Sequence, residues 1–308
     1  AKKKPIEKPL NEALTAMVNN YKVHLQYPPF SQPILTEGSI AQYQSNNTPP
    51  VTDTLFVLEG NKNQVRLSLH VDKNTYFVDE IINIQLSVST EPNDNLENVT
   101  MWISDREGNE LHRLVIDPSL SQWKKLVDTK LISTSGWPLE LEIRTEVTVN
   151  GERLYTFHPF RLQEAVASLT EVGNSSINNE YLVIPLSFEV EKAGYYFVSA
   201  ILYDKSTDSP LIYLSAEGPL SYLRNNMTLQ AHIRALKYAN SSGPYVLKSI
   251  TIHRSADIGE EFDLLGKTQE VDYEVNGHSF DNYLDTPYQD PNAADRIEVL
   301  KDLAFDAN

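Results

Sequence analysis

Through much of this chain apolar residues stand at every second position. Val65, Leu67, Leu69 and Val71 alternate with polar neighbours, and so do Ile82, Ile84, Leu86 and Val88. Leu139, Leu141, Ile143, Thr145, Val147 and Val149 repeat the pattern. A period of two puts one set of side chains on one face of a sheet, which is how a half-buried antiparallel strand reads. Further runs follow over Ile184–Val190, Gly194–Asp204 and Gly243–Arg254, each bounded by Gly, Pro, Asn, Asp or Ser. Asn150-Gly151 stands between two alternating runs and is the strongest short hairpin signal in the chain. Asp105 to Asn109, Asp204 to Pro210 and Asn240 to Pro244 read as further hairpin loops. The pattern predicts a mainly β protein with two tandem antiparallel β-sandwiches, the first over residues 61–164 and the second over 165–256.

Two stretches break the period of two. Leu10, Ala13, Leu14, Met17 and Val18 follow Pro5 and Pro9 at spacings of three and four, which predicts an N-terminal helix over residues 5–21. A proline-rich arm completes residues 1–60, and its scattered Tyr27, Phe30, Ile34 and Tyr43 predict that it lies along a domain surface. At the other end, residues 257–308 form an acidic segment. Asp290 as N-cap, with Pro291 first in the helix and Ala294, Ile297, Leu300 and Leu303 on one face, predicts a C-terminal helix.

Two passages carry a resemblance. Gly136-Trp-Pro-Leu-Glu-Leu-Glu-Ile-Arg144 leads towards Asn150-Gly-Glu-Arg-Leu-Tyr-Thr-Phe157, and Gly194-Tyr-Tyr-Phe-Val-Ser-Ala-Ile-Leu-Tyr-Asp204 pairs with Gly243-Pro-Tyr-Val-Leu-Lys-Ser-Ile250. They resemble the paired immunoglobulin-like or fibronectin-like modules of exported bacterial surface proteins and secreted hydrolases, and the whole is similar to an uncharacterised family of exported bacterial proteins. The resemblance implies strand and turn geometry, with an Asp-centred turn after the Gly-aromatic strand. It implies no catalytic residue.

Composition narrows the partners. The net charge of −16 over 308 residues disfavours nucleic acid and anionic lipid. From Asp257 onward there are 14 Asp and Glu against 3 Lys and Arg, so −11 of that charge lies in the acidic segment. No run approaches the ~18 apolar residues of a membrane span, so no membrane insertion is expected. The absence of cysteine removes disulfides, thiolate metal sites and a cysteine nucleophile. Ala1 followed by Lys2, Lys3 and Lys4 reads as a mature exported chain, periplasmic or extracellular.

Candidate chemistry is sparse. The seven histidines form no metal-binding pair, and no nucleophile elbow, phosphate loop or dinucleotide glycine pattern occurs. Ser121-Gln-Trp-Lys124 has the Ser-x-x-Lys spacing but lies in a β context, without the helical turn that chemistry needs. Asp281, Asp285, Asp290 and Asp295 are calcium candidates, because hard oxygen ligands in loops suit that ion. Trp102, Trp123 and Trp137 are candidate ligand-binding aromatics. The reading is an exported, non-enzymatic protein that recognises another protein or a surface component, or supports an envelope or extracellular assembly. Two alternatives stay open: a calcium-dependent carbohydrate-binding module, and an accessory or carboxylate-based hydrolase whose acid pair only a structure could reveal.

Overall fold

The computed structural model describes residues 23–35, 40, 43, 51–116 and 122–290. The helices expected over residues 5–21 and after Asp290 lie outside the described residues. The chain divides into two compact units, one spanning Asn46–Ala165 and the other joining Ala1–Ser45 to Val166–Asn308. The first strand, β1 (Ser31–Pro33), belongs to the latter.

The 46–165 unit holds β2 (Val51–Val57), β3 (Gln64–Val71), β4 (Thr75–Phe77), β5 (Ile81–Ser89), β6 (Leu96–Ser104), β7 (Glu110–Leu114), β8 (Gln122–Asp128), β9 (Glu140–Val149) and β10 (Glu152–Gln163). They form a four-stranded sheet, β2-β3-β5-β8, and a five-stranded sheet, β4-β10-β9-β6-β7. All neighbours are antiparallel except β4 and β10. The alternating residues predicted to face inward do so. Leu67, Leu69, Ile82, Ile84, Ile143 and Val147 are fully buried in one core, and each such side chain stabilises the fold by about 1.5–3 kcal/mol relative to exposure.

One boundary needs correction. Residues 51–57, expected in the arm, form edge strand β2 of this unit. Their pattern is largely inverted: Thr52 and Thr54 face in beside Phe56, which packs on the core, while Val51, Leu55 and Val57 face out. The inward threonines meet polar partners on β10: Thr52 Oγ1 lies 2.7 Å from His158 Nδ1, and Thr54 Oγ1 lies 3.0 Å from Thr156 Oγ1.

The other unit holds β11 (Ala167–Val172), β12 (Ser176–Asn178), β13 (Tyr181–Val190), β14 (Gly194–Asp204), β15 (Pro210–Leu220), β16 (Asn226–His232), the short helix α1 (Ile233–Tyr238), β17 (Tyr245–Arg254), β18 (Leu264–Leu265), β19 (Lys267–Thr268) and β20 (Tyr273–Val275). One sheet runs β1-β15-β14-β17-β18 with β20 also on β17, and the second runs β12-β13-β11-β19 with β16 on β13. Their inner faces share a second core around Ile184, Leu186, Val198, Leu202, Leu229 and Leu247. The arm touches this unit as expected, since Ser31–Pro33 pairs with Leu214–Ile212 of β15. Residues 257–290 are the described part of the acidic segment. They supply β18, β19 and β20 to the unit, with β20 inside the stretch 271–275 that reads as a short strand.

Two polar clusters fix its loops. Asp204 Oδ1 accepts from the Ser206 and Thr207 amides at 2.9 and 3.1 Å, and Oδ2 accepts from Ser241 Oγ at 2.6 Å. The Ser206 and Ser241 hydroxyls hold its carboxyl far below the usual carboxylate range. This is the Asp-centred turn that the resemblance implied. At the opposite end of β14 the buried Arg254 donates Nε to Ala193 O at 2.9 Å and Nη1 to Glu260 Oε2 at 2.6 Å, and it also bonds Asp257.

Candidate functional site

The most distinctive surface is the outer face of β10-β9-β6-β7. The hairpin that builds it turns at Asn150 and Gly151, with φ of 52° and 79°. Positive φ at both central residues is the turn whose twist matches the flanking strands. Asn150 is also locked from outside: its Oδ1 accepts from Asn95 N at 2.8 Å and its Nδ2 donates to Asp94 at 2.7 Å. The register is thereby set, and it places Phe157 opposite Arg144, Arg144 opposite Trp102, and Trp102 opposite Arg113. One row across four strands reads ring, guanidinium, ring, guanidinium.

The side chains make contact along this row. The Arg144 guanidinium carbon stands 5.9 Å from the Phe157 ring centroid, and that of Arg113 stands 5.9 Å from Trp102. Carboxylates hold the guanidinium groups in place. Arg144 Nε donates to Glu142 at 2.8 Å, and Arg113 Nε donates to Glu110 at 2.9 Å, holding the Glu110 carboxyl below its ordinary value. Gly108, with φ of 89°, leaves room for Arg144, because a Cβ there would lie 2.8 Å from a guanidinium nitrogen. Tyr155 and Phe157 are each 53% exposed, so the row is open to a partner.

The predicted site residues fall in different places. Trp102 is part of the row. Trp123 is 3% exposed inside the core, and Trp137 sits in the β8–β9 connection, packed against that core. The three tryptophans therefore form no shared platform. Asp285 is held by Arg234 Nε at 3.1 Å and Lys237 Nζ at 2.7 Å, which hold its carboxyl low. Asp281 borders a shallow cavity with His278 and Ser242, and Asp290 lines a different one with Tyr27 and Arg234. Asp295 lies outside the described residues. Among the described residues no three His, Asp or Glu stand close enough to hold a metal ion.

Among the described residues one serine–histidine side-chain pair lies within hydrogen-bond distance. Ser175 Oγ lies 3.2 Å from His278 Nε2 and also donates to Asn276 O at 2.8 Å. The hydroxyl has one proton to donate, and the Asn276 carbonyl at 2.8 Å competes with the imidazole at 3.2 Å for it. Sequence reasoning missed Arg144, Arg113, Tyr155 and Phe157. The signal was present in the Arg153-Leu-Tyr-Thr-Phe157 alternation, which puts both rings on one face.

No family model matches the sequence, and no curated protein does. The chain is similar in fold to solved β-sandwich proteins of immunoglobulin-like and related kinds. A DUF4785 family protein from Legionella pneumophila superposes with a TM-score of 0.46 at 13% identity, covering 66% of this chain and 56% of its own. Domains from titin give 0.26 at 8% identity over 76% and 89%, and a bacterial ice-binding adhesin gives 0.22 at 9% over 75% and 66%. The chain thus spans little more than half the length of the first of these structures. At such scores the likeness stops at the β architecture.

Proposed function

We propose that this chain is a non-catalytic recognition protein, exported from the cell, that binds another protein through the outer face of β10-β9-β6-β7. The observation that carries the reading is the row Phe157–Arg144–Trp102–Arg113. Aromatic and arginine side chains dominate the binding energy of protein interfaces, where large rings bury area and guanidinium groups pair with carboxylates and carbonyls. Here they alternate on a rigid sheet, held by Glu142 and Glu110, so little ordering cost falls on binding. The export assignment rests on the sequence resemblance of the Gly136 and Gly194 passages.

The test is site-specific photo-crosslinking in the native host. A crosslinker at Thr100, whose register partner Glu146 is next but one to Arg144 on β9, is expected to yield a discrete protein adduct. Trp102→Ala combined with Phe157→Ala is expected to abolish it. A crosslinker at Lys124, exposed on β8 of the other sheet, serves as control. Equal adducts from both positions, or none from Thr100, would overturn the reading.

A further inference from the structure

The 166–308 unit carries a cleft of about 600 Å³ beside β15 and β16 that the reading above does not use. Three rings line it: Phe30, Phe197 and Tyr213. Each is set by the backbone. The Phe30 carbonyl accepts from Ser215 N at 3.0 Å, which fastens that segment to β15. One face of Tyr213 is stacked on Tyr43 with centroids 4.4 Å apart. Phe197, 36% exposed, stands on β14 between register partners Glu217 on β15 and His253 on β17. Thr228 and Gln230 add polar groups from β16.

The charge of this lining is one-sided. Among the described residues that line it, Glu217 is the only carboxylate and there is no lysine or arginine. Burial pushes the His253 imidazole down, which disfavours its charged form. The chain as a whole stands at −16. An anion would meet repulsion from Glu217 with no partner to offset it. A phosphocholine headgroup would bring its phosphate against the same carboxylate. A positively charged group would find π faces, which attract cations, and a counter-charge beside them.

We propose that this cleft binds a small free organic cation, with a quaternary ammonium as the best-fitting head, the rings of Phe30, Phe197 and Tyr213 facing it and Glu217 balancing its charge. The site is separate from the aromatic–arginine row, so either proposal can fail without the other.

The experiment is calorimetric titration of the full chain with choline and, in parallel, with its neutral isostere in which carbon replaces the nitrogen. Choline is expected to bind at least about tenfold more tightly, because only the charge differs. Phe197→Ala is expected to weaken choline by about 2- to 30-fold. Glu217→Gln, at an exposed position, is expected to weaken it and to flatten its dependence on salt. Trp102→Ala should leave it unchanged. Equal affinity for the isostere would mean a merely apolar cleft and overturn the proposal. So would the absence of choline binding at millimolar concentration, or an unaltered salt dependence in Glu217→Gln.

Discussion

On the outer face of β10-β9-β6-β7 the row reads Phe157, Arg144, Trp102, Arg113, whereas on the outer face of β15-β14-β17 it reads Glu217, Phe197, His253. Both rows are made the same way, by strand alternation and antiparallel register. They differ in what stands beside each ring. Next to Phe157 and Trp102 a guanidinium of the protein itself already lies near the π face. Those rings present their remaining edges, and the arginines present donors, to carboxylates and carbonyls of a partner. Phe197 is flanked by a carboxylate and an imidazole whose charged form burial disfavours, so its face stays available to a cation from outside. Alternation decides which side chains share a face, and the neighbour in the next strand decides what a ring can recognise.

The comparison breaks most sharply at Arg254. This residue is 1% exposed and ties the end of β17 to Ala193, just before β14. Gly194 makes room for it, since a Cβ there would lie 2.5 Å from Nε. Arg254→Ala removes several charge-assisted bonds and leaves a void, so about 3 kcal/mol of stability should be lost. Urea unfolding followed by hydrogen exchange should place that loss in the 166–308 unit and leave Trp102 and its neighbours protected. A change within about 0.5 kcal/mol would show that the guanidinium does not hold β14 to β17.

At the other face Arg144→Ala should weaken partner binding by about 2 kcal/mol, with fold stability shifting by only about 0.5 kcal/mol. Crosslinking yield at Thr100 and a melting curve measure both. An unchanged adduct would reduce the row to surface decoration. Gly108→Ala comes next. The backbone there has φ of 89° and the new methyl would meet the Arg144 guanidinium, so about 1 kcal/mol of destabilisation is expected together with a shift in Trp102 fluorescence.

How far the sequence foretold these faces depends on the strand. In β9 the inner residues Leu141, Ile143, Val147 and Val149 are apolar and the outer ones polar, so alternation alone orients Arg144 correctly. β8 is different: Trp123 and Val127 point inward with Lys125 between them, while Leu126 is 63% exposed. An edge strand permits this, because Lys125 can carry its charge to solvent along an apolar stem. Composition therefore misplaced Trp123 among the ligand-binding candidates. β2 was missed for a related reason: two of its three inner positions are Thr52 and Thr54, with only Phe56 apolar. Asp285 looked available to a metal because its partners Arg234 and Lys237 lie some 50 residues earlier in the chain. The groups that neutralise a carboxylate across that distance are set by folding and leave no local signal. The helix at Ile233 was also invisible, since His232 caps it by accepting from Arg234 N at 3.2 Å, a role usually filled by Ser, Thr, Asp or Asn.

The smallest effect expected is an acid titration confined to one end of the cleft-bearing sheet. The Asp257 amide donates to Glu260 at 3.0 Å, and Lys192 and Arg254 pair with it. Led by that amide bond, these partners lower its carboxyl from 4.5 to about 2. A carboxyl depressed in the folded state stabilises the fold above its unfolded value of about 4.5 and loses that contribution as pH falls towards about 2. Because solvent reaches Glu260, the contribution is screened and should appear as local loosening ahead of general unfolding. Amide protection over residues 255–265, taken relative to the intrinsic exchange rate at each pH, should therefore fall between about pH 4.5 and about pH 2. Glu260→Gln should remove that pH dependence, while protection around Glu142 on the arginine-bearing face should not follow the same curve. If the two faces loosened together, or if Glu260→Gln kept the titration, the buried guanidinium and its carboxylates would not be what distinguishes the support of one face from that of the other.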